Sequence, residues 1–166
     1  YLNETGNYDL LNIEEPYYRS EKVDSLFNHC VKSIEKVYTR FSDRGLPLIG
    51  AGDWNDGLSA VGLEMKGESV WLAEFLYYVL VNFADVTERY NKPELANDYR
   101  KKAEELKAAF DKHAWDGKWY YRGTKDSGEK FGSNENEDGK IFLNPQIWAV
   151  MSEIAPKDKQ EIEKLK

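Results

Sequence analysis

The residues best suited to chemistry in this sequence form the stretch Asp53-Trp54-Asn55-Asp56. Two carboxylates lie three residues apart, on either side of an indole and an amide. If the stretch descends into a pocket under Trp54, at least one carboxylate is partly removed from water, which raises its pKa and prepares it to donate a proton near neutral pH. Asp56 is the predicted donor. The structural alternative is an Asx turn, in which Asp53 and Asn55 bind backbone amides and Asp56-Gly57 forms a tight turn.

Aromatic residues are the unusual feature of the composition, at 14% of the chain with five Trp and eleven Tyr. Most are expected to pack in the core, as aromatic side chains usually do. A second interpretation is that some line a carbohydrate site, where flat rings contact the C–H faces of a pyranose and carboxylates bind its hydroxyl groups.

Charge and cysteine content exclude several classes of function. The net charge of −7 disfavours nucleic acid as a partner, because a phosphate backbone is repelled on average. The single cysteine, Cys30, excludes an internal disulfide and a thiolate metal site, and His29 and His113 lack zinc-binding spacing. No metal site is expected. No apolar run approaches the ~18 residues of a membrane span, so no membrane partner is expected either.

Three helices are predicted around the acidic stretch. Residues 23–41 repeat apolar side chains every three or four positions, which indicates an amphipathic helix. Residues 68–84 are apolar on nearly every face, which indicates a helix buried all round. Pro93 opens a third helix near its first turn, and the apolar side chains of that helix follow one face from Leu95 to Phe110.

The segments between the helices carry further signals. Residues 42–69 form a connection longer than the ~12–15 residues beyond which loops tend to be functional or disordered, and this one contains apolar residues and glycines. Strand-forming residues predict a short strand or hairpin near 117–124. Residues 123–139 are polar and typical of a loop. A last helix is predicted from Asn144, and Pro156 restarts a short helix to the end.

Five sequence blocks carry a family resemblance. They are Gly45-Leu46-Pro47-Leu48-Ile49-Gly50, Gly52-Asp53-Trp54-Asn55-Asp56-Gly57, Lys66-Gly67-Glu68-Ser69-Val70-Trp71, Trp115-Asp116-Gly117-Lys118-Trp119-Tyr120 and Gly139-Lys140-Ile141-Phe142-Leu143-Asn144-Pro145-Gln146. In this order they resemble glycoside hydrolase family 94, the inverting glycoside phosphorylases typified by the cellobiose, cellodextrin and chitobiose enzymes. The likeness covers nearly the whole chain.

The resemblance implies an all-α fold that is part of an (α/α)6 barrel, with a short strand or hairpin near 117–124. It agrees with the alternation of an enclosed helix and a one-faced helix predicted above. Family enzymes are several times longer than this chain. Residues 1–166 are therefore expected to be a partial catalytic barrel domain, a fragment of a longer chain.

The resemblance also implies a reaction: reversible phosphorolysis of a β-linked glucoside or disaccharide to a sugar 1-phosphate. By its match to the family motif, Asp56 is the general acid that protonates the glycosidic oxygen. Trp54, Asp53 and Asn55 are implied as substrate-binding residues, with Trp54 a wall of the sugar subsite and Asp53 a structural or sugar-hydroxyl ligand. Inorganic phosphate is the co-substrate and no cofactor is needed.

A cytoplasmic enzyme follows from the same resemblance, with a homodimer as an option for the whole protein. No match to the phosphate ligands of the family is found in this chain. Positioning of a nucleophile carries ~7–11 kcal/mol of a barrier, so the isolated chain is expected to have little or no activity. Two other hypotheses stay open: a non-catalytic carbohydrate-binding helical scaffold, and an inverting hydrolase on the same barrel.

Overall fold

A computed structural model describes residues 1–157. The chain forms two compact units, one of residues 1–39 and one that begins at Arg40. The elements of the first unit are α1 (Leu2–Thr5), a 3-10 helix (Tyr8–Asn12), β1 (Glu14–Pro16), β2 (Val23–Ser25) and α2 (Leu26–Tyr38). Those of the second unit are a 3-10 helix (Asp56–Leu58), α3 (Val70–Arg89), α4 (Pro93–His113), β3 (Gly123–Thr124), β4 (Lys130–Phe131) and α5 (Leu143–Met151).

The predicted amphipathic helix of the first unit is confirmed as α2, which buries Phe27 and Ile34. It begins later than the apolar pattern, because residues 23–25 pair with β1 in an antiparallel hairpin. Ser25 then caps the helix, since its side chain accepts a hydrogen bond from the amide of Asn28 at 3.2 Å.

Helices α3 and α4 pack against each other in the second unit and are joined by a turn of three residues. Ser69 caps α3 by accepting a hydrogen bond from the amide of Leu72 at 3.0 Å. Pro93 lies in the first turn of α4, as predicted, where its missing N–H costs nothing. The buried side chains of α4 follow one face, which confirms the predicted stripe: they are Ala96, Tyr99, Ala103, Leu106 and Phe110.

One side of α3 is open to solvent. Phe75, Tyr78 and Val81 are 37%, 43% and 40% exposed, respectively. The prediction of a helix buried all round is therefore wrong for this side, because α4 and α5, the helices that pack against α3, cover it only in part.

Helix α3 also has the length and composition of a membrane span, with a mean hydropathy of 1.3 over its best window. This departs from the expectation that no apolar segment approaches that length. It is a weak indication of a span, because the core helix of a folded domain meets the same criteria. Its packing against α4 and α5 is typical of such a core helix.

The predicted hairpin is present but lies further along the chain. Strands β3 and β4 are antiparallel, and β4 falls within the segment predicted to be a loop. Closer to the predicted position, the structure of residues 1–157 has a bridge between Trp115 and Tyr120 in place of a strand. The strand forms at Gly123 because the backbone there also bridges to Ser69, and a Cβ at this glycine would collide with the carbonyl oxygen of Glu68.

The last predicted helix is confirmed as α5, which begins one residue before Asn144. The side-chain amide of Gln146 holds it to the backbone of Tyr120: its oxygen accepts the amide N–H at 3.1 Å, and its nitrogen donates to the carbonyl at 2.7 Å. The short helix predicted from Pro156 to the end lies outside the described residues. The second unit is thus helix-rich with a small hairpin, in agreement with the expected class.

Candidate active site

The Asp53–Asp56 stretch lies in the long connection that precedes α3. The two ends of this connection are tied together, because Leu48 bridges to Glu68 and the amide of Ile49 donates to the carbonyl of Gly67 at 2.9 Å. The connection is therefore a closed loop with fixed ends, not a flexible linker. We call residues 49–67 the acidic loop.

Asp126 fixes the end of the acidic loop from the turn between β3 and β4. Its carboxylate accepts hydrogen bonds from the amides of Glu64 at 2.8 Å, Lys66 at 3.0 Å and Gly67 at 3.0 Å. The bond from Glu64, followed by the other two, lowers the pKa of Asp126 below its ordinary value. Three amides that would otherwise need water are satisfied by one side chain.

An ion pair holds the start of the connection. Arg44 donates from Nε to Oε1 of Glu68 at 3.0 Å and from Nη2 to Oε2, which makes the pair bidentate. Glu68 is 2% exposed. Its amide donates to the hydroxyl of Thr124 at 3.0 Å, so the same residue joins the loop to β3.

Asp53 lies at the centre of a buried network beneath the acidic loop. Its side chain and that of Arg122 are completely buried, and Nη2 of Arg122 donates to Oδ1 of Asp53 at 2.5 Å. Ser69 donates its hydroxyl to Oδ2 at 2.6 Å. The amide of Asn55 donates to Oδ1 at 3.1 Å, which is the Asx turn that the sequence left open as an alternative.

This environment decides the charge of Asp53. Burial raises the pKa of its carboxyl group, but the hydrogen bonds from Arg122 and Ser69 and the charge of Arg122 outweigh burial, and the pKa lies below its ordinary value. Asp53 is therefore ionised at neutral pH and has no proton to give. Of the two roles left open for it, the geometry favours the structural one, because a fully buried carboxylate cannot reach a sugar hydroxyl.

Asp56 and Trp54 lie on the surface of the acidic loop. Asp56 is exposed and opens the 3-10 helix, whose first turn closes by a hydrogen bond from the amide of Leu58 to the carbonyl of Asn55 at 2.9 Å. The indole of Trp54 is 72% exposed. The prediction of a partly desolvated proton donor is wrong for Asp56 within the described residues, because the carboxylate that the fold withdraws from water is Asp53.

Aromatic rings continue from Trp54 along the open side of α3. The ring centroids of Trp54 and Trp71 are 6.1 Å apart, and Trp71 stacks on Phe75 at 5.5 Å. Trp148 of α5 meets Trp71 and Phe75 edge-on. Asn55 is half-buried beside the start of α5, where the side-chain nitrogen Nδ2 of Asn144 donates to Oδ1 of Asn55 at 3.4 Å.

The main residues that sequence reasoning missed are Arg122, Ser69 and Asp126. Arg122 was visible as a charged residue at the end of a strand-forming run, which is a signal of a buried partner. Its pairing with Asp53 was not visible, since 69 positions separate them. No group of three or more His, Cys, Asp or Glu in residues 1–157 could hold a metal ion.

Comparison with known proteins places the chain in a family. The family model described as the glycosyl hydrolase 94 superfamily, catalytic domain, matches residues 1–164. This chain belongs to the glycosyl hydrolase 94 superfamily. The match covers both units and confirms the resemblance drawn from the five sequence blocks.

The similar proteins of this superfamily include three named as phosphorylases. Cellobionic acid phosphorylase of Neurospora crassa is 36% identical over 152 residues, which are 92% of this chain and 19% of that protein. Solabiose phosphorylase of Paenibacillus borealis is 37% identical over 156 residues, 93% of this chain and 20% of that protein. N,N'-diacetylchitobiose phosphorylase of Vibrio proteolyticus is 27% identical over 163 residues, 97% of this chain and 20% of that protein. The chain thus spans about a fifth of the length of these relatives.

Proposed function

We propose that this chain is a segment of the catalytic domain of an inverting glycoside phosphorylase. The reaction is reversible phosphorolysis of a β-linked glucoside or disaccharide, with inorganic phosphate as co-substrate and no cofactor. One observation carries the proposal within the family match: the two carboxylates of the motif have opposite environments. Asp53 is buried and ionised, whereas Asp56 is exposed on a loop fixed at both ends, where a substrate can reach it.

In the proposed mechanism Asp56 is the general acid. As the bond between the anomeric carbon and the glycosidic oxygen breaks, the Asp56 carboxyl gives its proton to that oxygen, and the leaving sugar departs as an alcohol. A phosphate oxygen forms the new bond from the opposite face, which inverts the anomeric centre and yields the sugar 1-phosphate. An inverting hydrolase needs a second carboxylate to activate water, whereas phosphate is already an anion.

The neighbours of Asp56 suit contact with the sugar. The exposed indole of Trp54 offers a flat apolar face for a pyranose ring, and the Asn55 amide offers hydrogen-bonding groups for a hydroxyl. We assign Asp53 to holding the loop, not to binding the sugar. The substrate and the rest of the catalytic domain would then cover Asp56 and exclude water from it.

At the level of the fold, α3, α4 and α5 are proposed to be part of an (α/α)6 barrel. The open side of α3 supports this, because Phe75, Tyr78 and Val81 present an apolar surface of the kind that neighbouring helices cover. We propose the cytoplasm as the compartment and a homodimer as an option for the whole protein.

Product analysis of the full-length protein tests the proposed function. The protein is incubated with cellobionic acid, solabiose and N,N'-diacetylchitobiose, the sugars in the names of its relatives, with and without phosphate. Formation of a sugar 1-phosphate that requires phosphate is the expected result. Release of free sugar at the same rate without phosphate would indicate a hydrolase, and sugar binding without turnover would indicate a non-catalytic scaffold.

A further inference from the structure

Arg122 is a fully buried arginine in the extended segment that leads into β3. Its backbone is fixed on both sides: its amide donates to the carbonyl of Phe131 at 3.0 Å, and its carbonyl accepts from the amide of Val70 at 3.2 Å. The guanidinium group therefore projects from a rigid position between the hairpin and the start of α3.

The guanidinium forms a closed set of hydrogen bonds with Asp53 and Ser69. Nη2 of Arg122 donates to Oδ1 of Asp53 at 2.5 Å, and Nη1 donates to Oγ of Ser69 at 3.2 Å. The Ser69 hydroxyl donates to Oδ2 of Asp53 at 2.6 Å and accepts from the amide of Leu72 at 3.0 Å. Its one donor and two acceptor positions are all used, so both carboxylate oxygens of Asp53 are held in place.

The position of Asp53 determines that of Asp56 through the backbone between them. Oδ1 of Asp53 also accepts the amide of Asn55 at 3.1 Å, and the carbonyl of Asn55 accepts the amide of Leu58 at 2.9 Å. These two turns fix the backbone just before and just after Asp56. The buried arginine is thus joined to the exposed carboxylate by successive hydrogen bonds and turns.

Stability alone does not account for this network. Burying an ion pair carries a large desolvation cost, and apolar residues of similar volume are often at least as stabilising. Nε of Arg122 has no hydrogen-bond partner among the described residues, which adds to that cost. A buried arginine that is incompletely satisfied and is bonded to the motif of the candidate site is better explained by the geometry that it imposes.

We propose that Arg122 is a positioning residue for proton transfer: by holding Asp53, it fixes the acidic loop so that Asp56 points at the glycosidic oxygen. This inference rests on the proposed function, because it takes Asp56 as the general acid. Arg122 itself touches no substrate, since its side chain is completely buried.

The test compares two leaving groups in the full-length protein. A disaccharide needs a proton on its leaving oxygen, whereas dinitrophenolate departs without one, so a misplaced acid slows only the first substrate. For Arg122→Met we expect kcat for phosphorolysis of the disaccharide to fall by about 10- to 100-fold, which does not exceed the contribution of general acid catalysis. We expect kcat for the dinitrophenyl β-glycoside to change by less than about threefold. Arg122→Lys keeps the charge but loses the two-pronged donor, so it should lie between wild type and Arg122→Met.

Two reference variants separate positioning from loss of structure. Leu106→Ala opens a cavity in the buried face of α4, outside the hydrogen-bond network of Arg122, and should change the rates of the two substrates equally. Asp56→Asn should show the strongest selective loss on the disaccharide. If Arg122→Met fails to fold, Arg122→Lys and Asp53→Asn carry the same comparison.

The outcomes distinguish this inference from the proposed function. Equal losses on both substrates in the Arg122 variants, or no loss at all, would overturn the positioning role while Asp56→Asn still shows the selective loss. If Asp56→Asn itself lacks that selective loss, the proposed function fails, and the role of Arg122 fails with it.

Discussion

Among single residues, the two carboxylates of the motif differ in one decisive respect, which is access to water. Asp53 is buried against Arg122, and the resulting hydrogen bonds hold its pKa below the ordinary value despite its burial. Asp56, three positions on, is exposed. Different environments favour different roles for chemically identical side chains, and we propose that Asp53 anchors the loop whereas Asp56 meets the substrate.

Substitution of Asp53 should destabilise the protein. Asp53→Asn keeps the size of the side chain but leaves the Arg122 charge buried without its counter-ion, for which we expect a loss of about 3–5 kcal/mol in the free energy of unfolding. Urea unfolding of the full-length protein measures it, with the exposed Asp98→Asn on α4 as the matched control. A loss of under about 1 kcal/mol would show that the ion pair contributes little to the fold.

At the scale of single residues, the sequence identified the motif but not the buried residues that hold it in place. The spacing of Asp53 and Asp56 and the Asx turn were predictable, because they depend on neighbours in the chain. Arg122 could not be paired with Asp53, since contacts across 69 positions depend on how the hairpin and α3 pack. The desolvated carboxylate was assigned to the wrong residue of the motif for the same reason.

Among the elements, local sequence signals predicted a helix reliably where its start and its buried face depend on residues of that helix alone. Pro93 and the one-faced stripe of α4 predicted that helix well. The hairpin was displaced because β3 forms where the backbone also bridges to Ser69, a partner that no local propensity reveals. The burial of α3 was overestimated because apolar composition does not show which neighbours are present.

The hydrogen bonds between Asp126 and the acidic loop should make the stability of the protein depend on pH. Asp126 has a folded-state pKa below its unfolded value of about 3.9, so its contribution to stability is complete above about pH 4 and is lost as pH falls through the lower folded pKa. Asp126→Asn should lower stability at pH 7 and make its decline below about pH 4 shallower.

Thermal unfolding of the full-length protein across this pH range measures the effect. Glu105→Gln removes an exposed carboxylate from α4 and is the matched control. An Asp126→Asn protein with the same pH dependence as wild type would show that the three amides of the loop do not depend on this carboxylate.

For the whole molecule, the chain covers about a fifth of the length of its relatives. The acidic loop and its buried support are complete within it, whereas the proposed sugar and phosphate sites need further residues. The exposed Trp54 and the open side of α3 are apolar surfaces that, in the proposed barrel, other parts of the catalytic domain cover.

The isolated chain should therefore have little or no activity. We expect residues 1–166 alone to release no measurable sugar 1-phosphate from disaccharide and phosphate, because positioning of the nucleophile carries ~7–11 kcal/mol of a barrier. An assay beside the full-length protein, at equal molar concentration, measures this. Phosphate-dependent turnover by the isolated chain would show that it holds a complete site.

The central claim concerns Asp56, and Asp56→Asn in the full-length protein tests it most directly. Because the side chain is exposed, the substitution should leave the thermal midpoint within about 2 °C of wild type. It should lower kcat for phosphate-dependent release of sugar 1-phosphate by about 10²- to 10⁴-fold, the contribution of a general acid. A folded Asp56→Asn protein with near-normal phosphorolysis would contradict the assignment.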